Sequence, residues 1–192
     1  GSFVQSAEFR DMGVVGNSLL DQNTFWLCEK PDSVGMVGWD AALTRIATWV
    51  KLQDKKTGQI LMVVNTHFDH IGTEARRNSA LLIIEKIKEI VGTSPAILTG
   101  DFNVSEDWDA YKTITNNEFI LKDAHKVAGK RTGVDFTYHN FGKIPAEKCE
   151  KIDFIFVTPQ IRVISSYIPF SQLNDTLFLS DHNPEIVELE IK

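Results

Sequence analysis

The sequence predicts an α+β fold, on three observations. One long apolar stripe at helical spacing occupies residues 73–91. A β-hairpin pattern covers residues 44–52 and 59–66, about the turn Asp54-Lys55-Lys56-Thr57-Gly58. Short apolar runs at 24–28, 94–98, 152–157, 162–168 and 185–191 are separated by loops and short helical stretches. Helices and hairpins are interspersed without strict strand–helix–strand alternation, which points away from a wholly parallel sheet.

Taken in order, residues 3–20 are weakly patterned, with one strand expected near 12–15. Residues 24–28 read as a strand and 29–38 as a loop built on Pro31 and small residues. In 44–52, Ile46, Thr48 and Val50 fall on one side of a strand, and 59–66 is rich in Ile, Leu and Val. The helix over 73–91 has Thr73 as its expected N-cap. Ala80, Ile83, Ile84, Ile87, Ile90 and Val91 form its stripe, and Gly92 ends it. The next strand stops at Gly100. A short helix is expected over 108–115, mixed structure over 119–130, a short strand over 136–138 and a loop over 139–151. Strands follow at 152–157 and 162–168, then a loop over 174–184 and a last strand carrying Val187, Leu189 and Ile191. No repeat, linker or low-complexity segment interrupts the chain, so residues 1–192 read as one domain.

Composition narrows the function classes. The net charge is −6 over 192 residues with no Lys/Arg block, so the chain lacks a global electrostatic footprint for nucleic acid. No apolar run is long enough to span a membrane. Cys28 and Cys149 show no metal spacing and no CxxC pattern, which leaves their pairing and the redox compartment open. Gly1-Ser2 has the look of a tag remnant, so an export signal, and with it a secreted or periplasmic location, also stays open.

Chemistry gathers where apolar strands end. One runs into Asn65-Thr66-His67-Phe68-Asp69-His70 and another into Gly100-Asp101-Phe102-Asn103. A third carries Asp153 among Phe154, Ile155 and Phe156, and the last is preceded by Ser180-Asp181-His182-Asn183-Pro184. Asp101 and Asn103, two residues apart on extended backbone, are expected on one face. Asp153 among apolar neighbours needs a partner, and a histidine is the natural one. Such a pair fixes the imidazole tautomer and suits proton transfer. Each group also has an ordinary reading: Asp69 and His70 suit capping of the following helix, and the 180–184 segment suits a plain turn.

These motifs, in this order, resemble the endonuclease/exonuclease/phosphatase superfamily, the fold of deoxyribonuclease I. Thr24-Phe25-Trp26-Leu27 and the run from Gly38-Trp39-Asp40 to Thr44-Arg45-Ile46 resemble a bacterial branch of it. The resemblance covers roughly residues 20 to 192. It implies a four-layer α/β/β/α sandwich, two mixed sheets face to face with outer helices, and metal-assisted phosphoester hydrolysis, usually with Mg²⁺ (or Mn²⁺ or Ca²⁺). By that resemblance Asp101 orients or deprotonates the attacking water, and Asn103 helps hold phosphate or water. Asp181 and Asp101 attend the metal, His182 works with Asp153, and His67 stabilises the transferring phosphoryl group. Cationic and amide donors suit the charge that gathers on phosphoryl oxygens. Arg45, Trp39, Asp69, His139 and Phe141 are the candidate substrate contacts, with Arg76 and Arg77 nearby in sequence. For Arg45 a surface or cross-strand ion pair, and for Trp39 and Phe141 simple packing, are the ordinary readings and the favoured ones. The acidic balance favours a small phosphoester over nucleic acid.

One departure from the resemblance matters. The early strand bearing an Asn, and the Glu that is the principal metal ligand, are not recognisable here. Glu8, Asn17, Asn23 and Glu29 lie in the wrong context. The expectation is that the first part of the fold is missing. Mg²⁺ binding should then be weak and hydrolysis slow or absent, with an incomplete sheet inviting self-association. Two rival classes follow. One is a zinc hydrolase, because residues 66–72 look like a metallo-β-lactamase signature with a step deleted; five histidines are too few for it. The other is a degenerate, non-catalytic binding domain.

Overall fold

The computed structural model describes residues 16–116, 121–170, 172–174 and 177–192. The strand expected near 12–15 lies outside that set, as do Glu8 and Phe119.

A six-stranded mixed sheet forms the frame. In spatial order it consists of β1 (Asn17–Trp26), β2 (Ile46–Asp54), β3 (Ile60–His67), β4 (Ala96–Asp101), β7 (Asp153–Val157) and β5 (Lys122–Asp123). The predicted hairpin is β2–β3, antiparallel. Its turn is fastened by Asp54, whose Oδ1 accepts from the Lys56 and Thr57 amides and the Thr57 hydroxyl. β3 and β4 run parallel, with α1 (Thr73–Val91) as their crossover. α2 (Asp109–Thr115) lies beside α1, and α3 (Ala124–Val127) follows β5. A second, three-stranded sheet has the order β11 (Ile186–Ile191), β8 (Ile161–Ile168), β6 (Lys130–Gly133). A small hairpin pairs β9 (Gln172–Asn174) with β10 (Leu177–Phe178).

Strand parity sorts the side chains into two cores. Met62, Val64, Ala96, Leu98, Phe154 and Phe156 face the helices and meet Ala80, Ile83, Ile84 and Ile87 of α1. Phe102, fully buried, touches the rings of Phe68, Phe154 and Phe156. Alternate residues of the same strands, Leu61, Ile97, Ile155 and Val157, face Val163, Val187, Leu189 and Ile191 of the second sheet. The two mixed sheets therefore pack face to face, with the long helix on the first sheet's other side, as the resemblance implied.

Several local expectations need correcting. β1 begins at Asn17 rather than Thr24. Its first half is exposed or half-buried, with Leu19 and Leu20 both facing solvent, and is held by pairing with β2 rather than by burial, so alternation could not reveal it. β6, exposed throughout, is likewise a strand by pairing alone. Residues 136–138 form no strand; Tyr138 makes isolated bridges to Glu150 and His182. Thr73 is not the N-cap of α1. Gly72 holds that position, and the Asp40 carboxylate, from a distant loop, accepts from the Glu74 and Ala75 amides. No described helix is long and apolar enough to cross a membrane.

Candidate active site

Register alone brings three polar residues into one row. Parallel pairing sets His67 opposite Asp101, and antiparallel pairing sets Asp101 opposite Asp153. All three share parity with Ile97 and Ile155, so they stand at one end of the face turned toward the second sheet. Gly100 permits this row. A Cβ there would sit 2.1 Å from the Thr66 carbonyl oxygen, closer than any side chain allows.

His182 completes the group from the loop before β11. Its Nδ1 lies 2.7 Å from Asp153 Oδ2. Because an ionised carboxylate only accepts, Nδ1 carries the hydrogen and Nε2 is left for another partner. Burial pushes His182 down, but the hydrogen bond and charge of Asp153, with the charges of Asp101 and Asp181, raise it overall. Asp101, Asp153 and His182 offer ligand atoms within 4.8 Å of one another, which is the three-ligand cluster among the described residues.

Asp101 is pushed up to about 7, first by burial and then by the charge of Asp153. His67 is pushed down to about 4, first by burial and then by the nearby Arg45 guanidinium. Its Nε2 lies 3.4 Å from Asp101 Oδ2. Both shifts oppose charge separation, so this is a contact of near-neutral groups rather than an ion pair. Asp101 Oδ1 accepts from the Asn103 amide at 2.9 Å. Here one expectation fails. Asn103 does not continue the strand but turns into the left-handed region at φ 50°, because its amide folds back onto Asp101. Its Nδ2 donates to the Phe68 carbonyl at 3.0 Å, locking this loop to the one after β3.

The remaining candidates divide. Arg45 reaches the site: its field acts on both His67 and Asp101, and its Nη2 lies 3.3 Å from His70 Nδ1. Asp69 enters only through Arg45, whose Nε is 3.6 Å from Asp69 Oδ2. Otherwise Asp69 is buried and accepts from the Leu43, Ile71 and Gly72 amides. Burial pushes its carboxyl up, but those amide bonds prevail and hold it well below the carboxylate range. Asp69 does not cap the following helix, contrary to its ordinary reading: its bonds fall on Ile71 and Gly72, ahead of the first turn, and Asp40 supplies the cap. Arg76 is also buried, donating to the Asp69 carbonyl and stacking on Trp108, while Arg77 is exposed. Trp39 lines a separate cavity of about 480 Å³ beside α1, with Cys28, Glu29 and Leu81. Asp181 adjoins the cluster through its backbone, its carbonyl accepting from the His139 and Asn140 amides, but its carboxylate is not one of the three converging ligands. His139 is buried against Phe170 and Phe178. Phe141 stands half-exposed beside it at φ 54°. His67, Asp69 and His70 form no metal cluster among the described residues.

Sequence reasoning missed the brace around the dyad. Thr137, fully buried, accepts from the Ile152 and Asp153 amides through its hydroxyl, and its carbonyl accepts from the Asn183 amide. Lys151 and Glu185 form a buried ion pair beneath Asp153. Nothing marks Thr137 in the sequence; the spacing Lys-x-Asp was the only signal for Lys151.

Comparison with known proteins identifies the family and the fold. The model of the endonuclease/exonuclease/phosphatase family matches residues 10–182. A crystal structure of an endonuclease/exonuclease/phosphatase protein from Bacteroides vulgatus is 63% identical, with a TM-score of 0.88, over 92% of this chain and 67% of that one. A mannosyl-6-phosphatase of Bacteroides thetaiotaomicron VPI-5482 is 35% identical, with a TM-score of 0.82, over 92% of this chain and 68% of its own. An uncharacterized protein of Acanthamoeba polyphaga mimivirus is 30% identical over 175 residues, 86% of this chain. The chain spans 63% of that viral protein's length. Four motifs carried to one sheet end, and a family model that covers most of the chain, lead to one assignment: the chain belongs to the endonuclease/exonuclease/phosphatase family.

Proposed function

We propose that the protein hydrolyses a phosphoester by directed attack of water, and that its substrate is a small phosphorylated molecule rather than a nucleic acid. The observation that carries the reading is the Asp153–His182 hydrogen bond set against Asp101 at one sheet end. With Nδ1 held by Asp153, His182 presents Nε2 to a phosphoryl oxygen or to water. Asp101 stands at the same sheet end, with one oxygen held by the Asn103 amide and the other toward His67, so it can orient the attacking water or take its proton. Asn103 keeps one amide hydrogen free for water or phosphate. His67 and the unspent part of the Arg45 fork supply donors where negative charge develops.

The donor set suits a hard divalent cation. Asp101 and Asp153 face each other in the row, and burial first, then the charge of Asp153, pushes Asp101 up, so a cation held there would favour both ionised carboxylates. These two carboxylates would hold Mg²⁺, which supplies charge neutralisation for the phosphoryl group when bound. Two carboxylates and one imidazole are a sparse set, so binding is expected to be weak; tight Mg²⁺ uptake in calorimetric titration would contradict this.

The likeness to a mannosyl-6-phosphatase and the net charge of −6 support a small substrate such as a sugar phosphate. Phe141, half-exposed beside His139, is the candidate platform for its leaving group. A panel of sugar phosphates, p-nitrophenyl phosphate, bis(p-nitrophenyl) phosphate and oligonucleotides, assayed with Mg²⁺, tests the reading. Release of phosphate from the small monoesters is the expected result. Cleavage of oligonucleotides alone overturns the substrate class, and no hydrolysis of any of them overturns the activity.

A further inference from the structure

We infer that the buried Lys151–Glu185 ion pair is a positioning pair, holding the Asp153–His182 dyad in register without touching substrate. Lys151 lies two residues before Asp153, and Glu185 three residues after His182. Lys151 Nζ is 2.8 Å from Glu185 Oε2 and donates at 2.8 Å to the Asp153 backbone carbonyl. The two side chains are 6% and 3% exposed. The ammonium also sits 3.9 Å from the centre of the Phe154 ring. On the far side, Glu185 accepts from the Ser166 hydroxyl of β8 at 3.4 Å, and Ser166 is 2.8 Å from His125 Nδ1. A line of buried polar groups thus ties both dyad-bearing segments to the second sheet.

Stability does not account for this pair. Removing two charges from water is costly, and an apolar pair of similar volume commonly holds a fold equally well. The charges add direction. The ammonium is aimed at the peptide of Asp153, and the carboxylate anchors the segment that carries His182. Each member reaches the other's strand end, so the pair sets the separation across which the 2.7 Å hydrogen bond forms. Thr137 braces the same two segments through its own hydroxyl and carbonyl, so the fold survives loss of the pair while the dyad's alignment does not.

The test compares Lys151→Arg with the double variant K151M/E185L in the whole protein. The double variant is expected to keep its melting midpoint within about 3 °C. Its kcat should fall about tenfold or more, with KM held within about threefold. In proton NMR, the downfield Nδ1–H signal of His182, assigned by its loss in His182→Gln, should move upfield. Lys151→Arg should restore both. If the double variant does not fold, Glu185→Gln, which keeps the volume, is expected to shift the same signal. An unmoved signal, or wild-type kcat in a folded double variant, overturns the inference. The inference rests on the phosphoesterase reading. A wild-type protein that hydrolyses nothing refutes that reading, and the NMR comparison then decides this one alone.

Discussion

Replacing Asp101 by Asn should stabilise the metal-free protein while destroying its activity. The Asp101 carboxyl titrates near 7 in the fold against an ordinary 3.8. A raised carboxyl favours the neutral form in the native state, so its stability is full below 3.8 and is lost as pH rises through 7. At pH 8 the full shift corresponds to about 4 kcal/mol at about 1.4 kcal/mol per pH unit. The side chain is 18% exposed, so water screens part of that, leaving about 2 kcal/mol. For a chain of this length that is about 4–8 °C in melting midpoint. At pH 4.5 less than one unit of the shift is expressed, and the gain should shrink to about 1–2 °C. Asparagine retains an oxygen to accept from the Asn103 amide, so the loop geometry is kept. Thermal melts in EDTA at the two pH values measure this, and a repeat with Mg²⁺ should raise the wild type but not the variant. A variant less stable than wild type at pH 8, or a gain that does not depend on pH, would refute the electrostatic account of the Asp101–Asp153 row.

Asp153→Asn removes the carboxylate charge that fixes the His182 tautomer and stabilises its protonated form, and it admits an amide that can flip, so kcat should fall about 10²–10⁴-fold with the fold intact by circular dichroism. Arg45→Lys keeps the charge but loses the planar fork, so kcat/KM on a sugar phosphate should drop about tenfold, with a melting midpoint near that of wild type. Phe102→Ala empties a site surrounded by three aromatic rings and should cost about 3–5 kcal/mol in urea unfolding, without altering the site's charges.

What was legible in the sequence is what rests on burial periodicity or on short motifs. The α1 stripe, the β2–β3 hairpin and the strands ending at His67 and Asp101 all carry apolar patterning up to a polar stop. The Asp153–His182 partnership followed from the cost of leaving one buried carboxylate alone. What escaped was held by other forces. β6 and the first half of β1 exist through backbone pairing with exposed side chains, which leaves no pattern to read. The cap of α1 comes from Asp40, 35 residues before Ala75, so local sequence named Thr73 instead. Asn103 left extended geometry because of one backbone hydrogen bond. Lys151 and Glu185 look like ordinary surface charges until topology buries them together. Trp39 sits in a motif of the family, yet it faces the α1 flank.

The order in which the site's strands occur along the chain has a consequence for synthesis. β3, α1 and β4 are consecutive, so the His67–Asp101 contact closes over a short loop and can form early. Asp153 is translated 52 residues after Asp101, and His182 another 29 after that. At about 5–20 residues per second, several seconds separate the first half of the row from its completion. A ribosome-bound chain that ends before His182 therefore holds Asp101 but lacks the partner of Asp153. On the proposed reading, hydrolysis would begin only once the segment carrying His182 has joined the row.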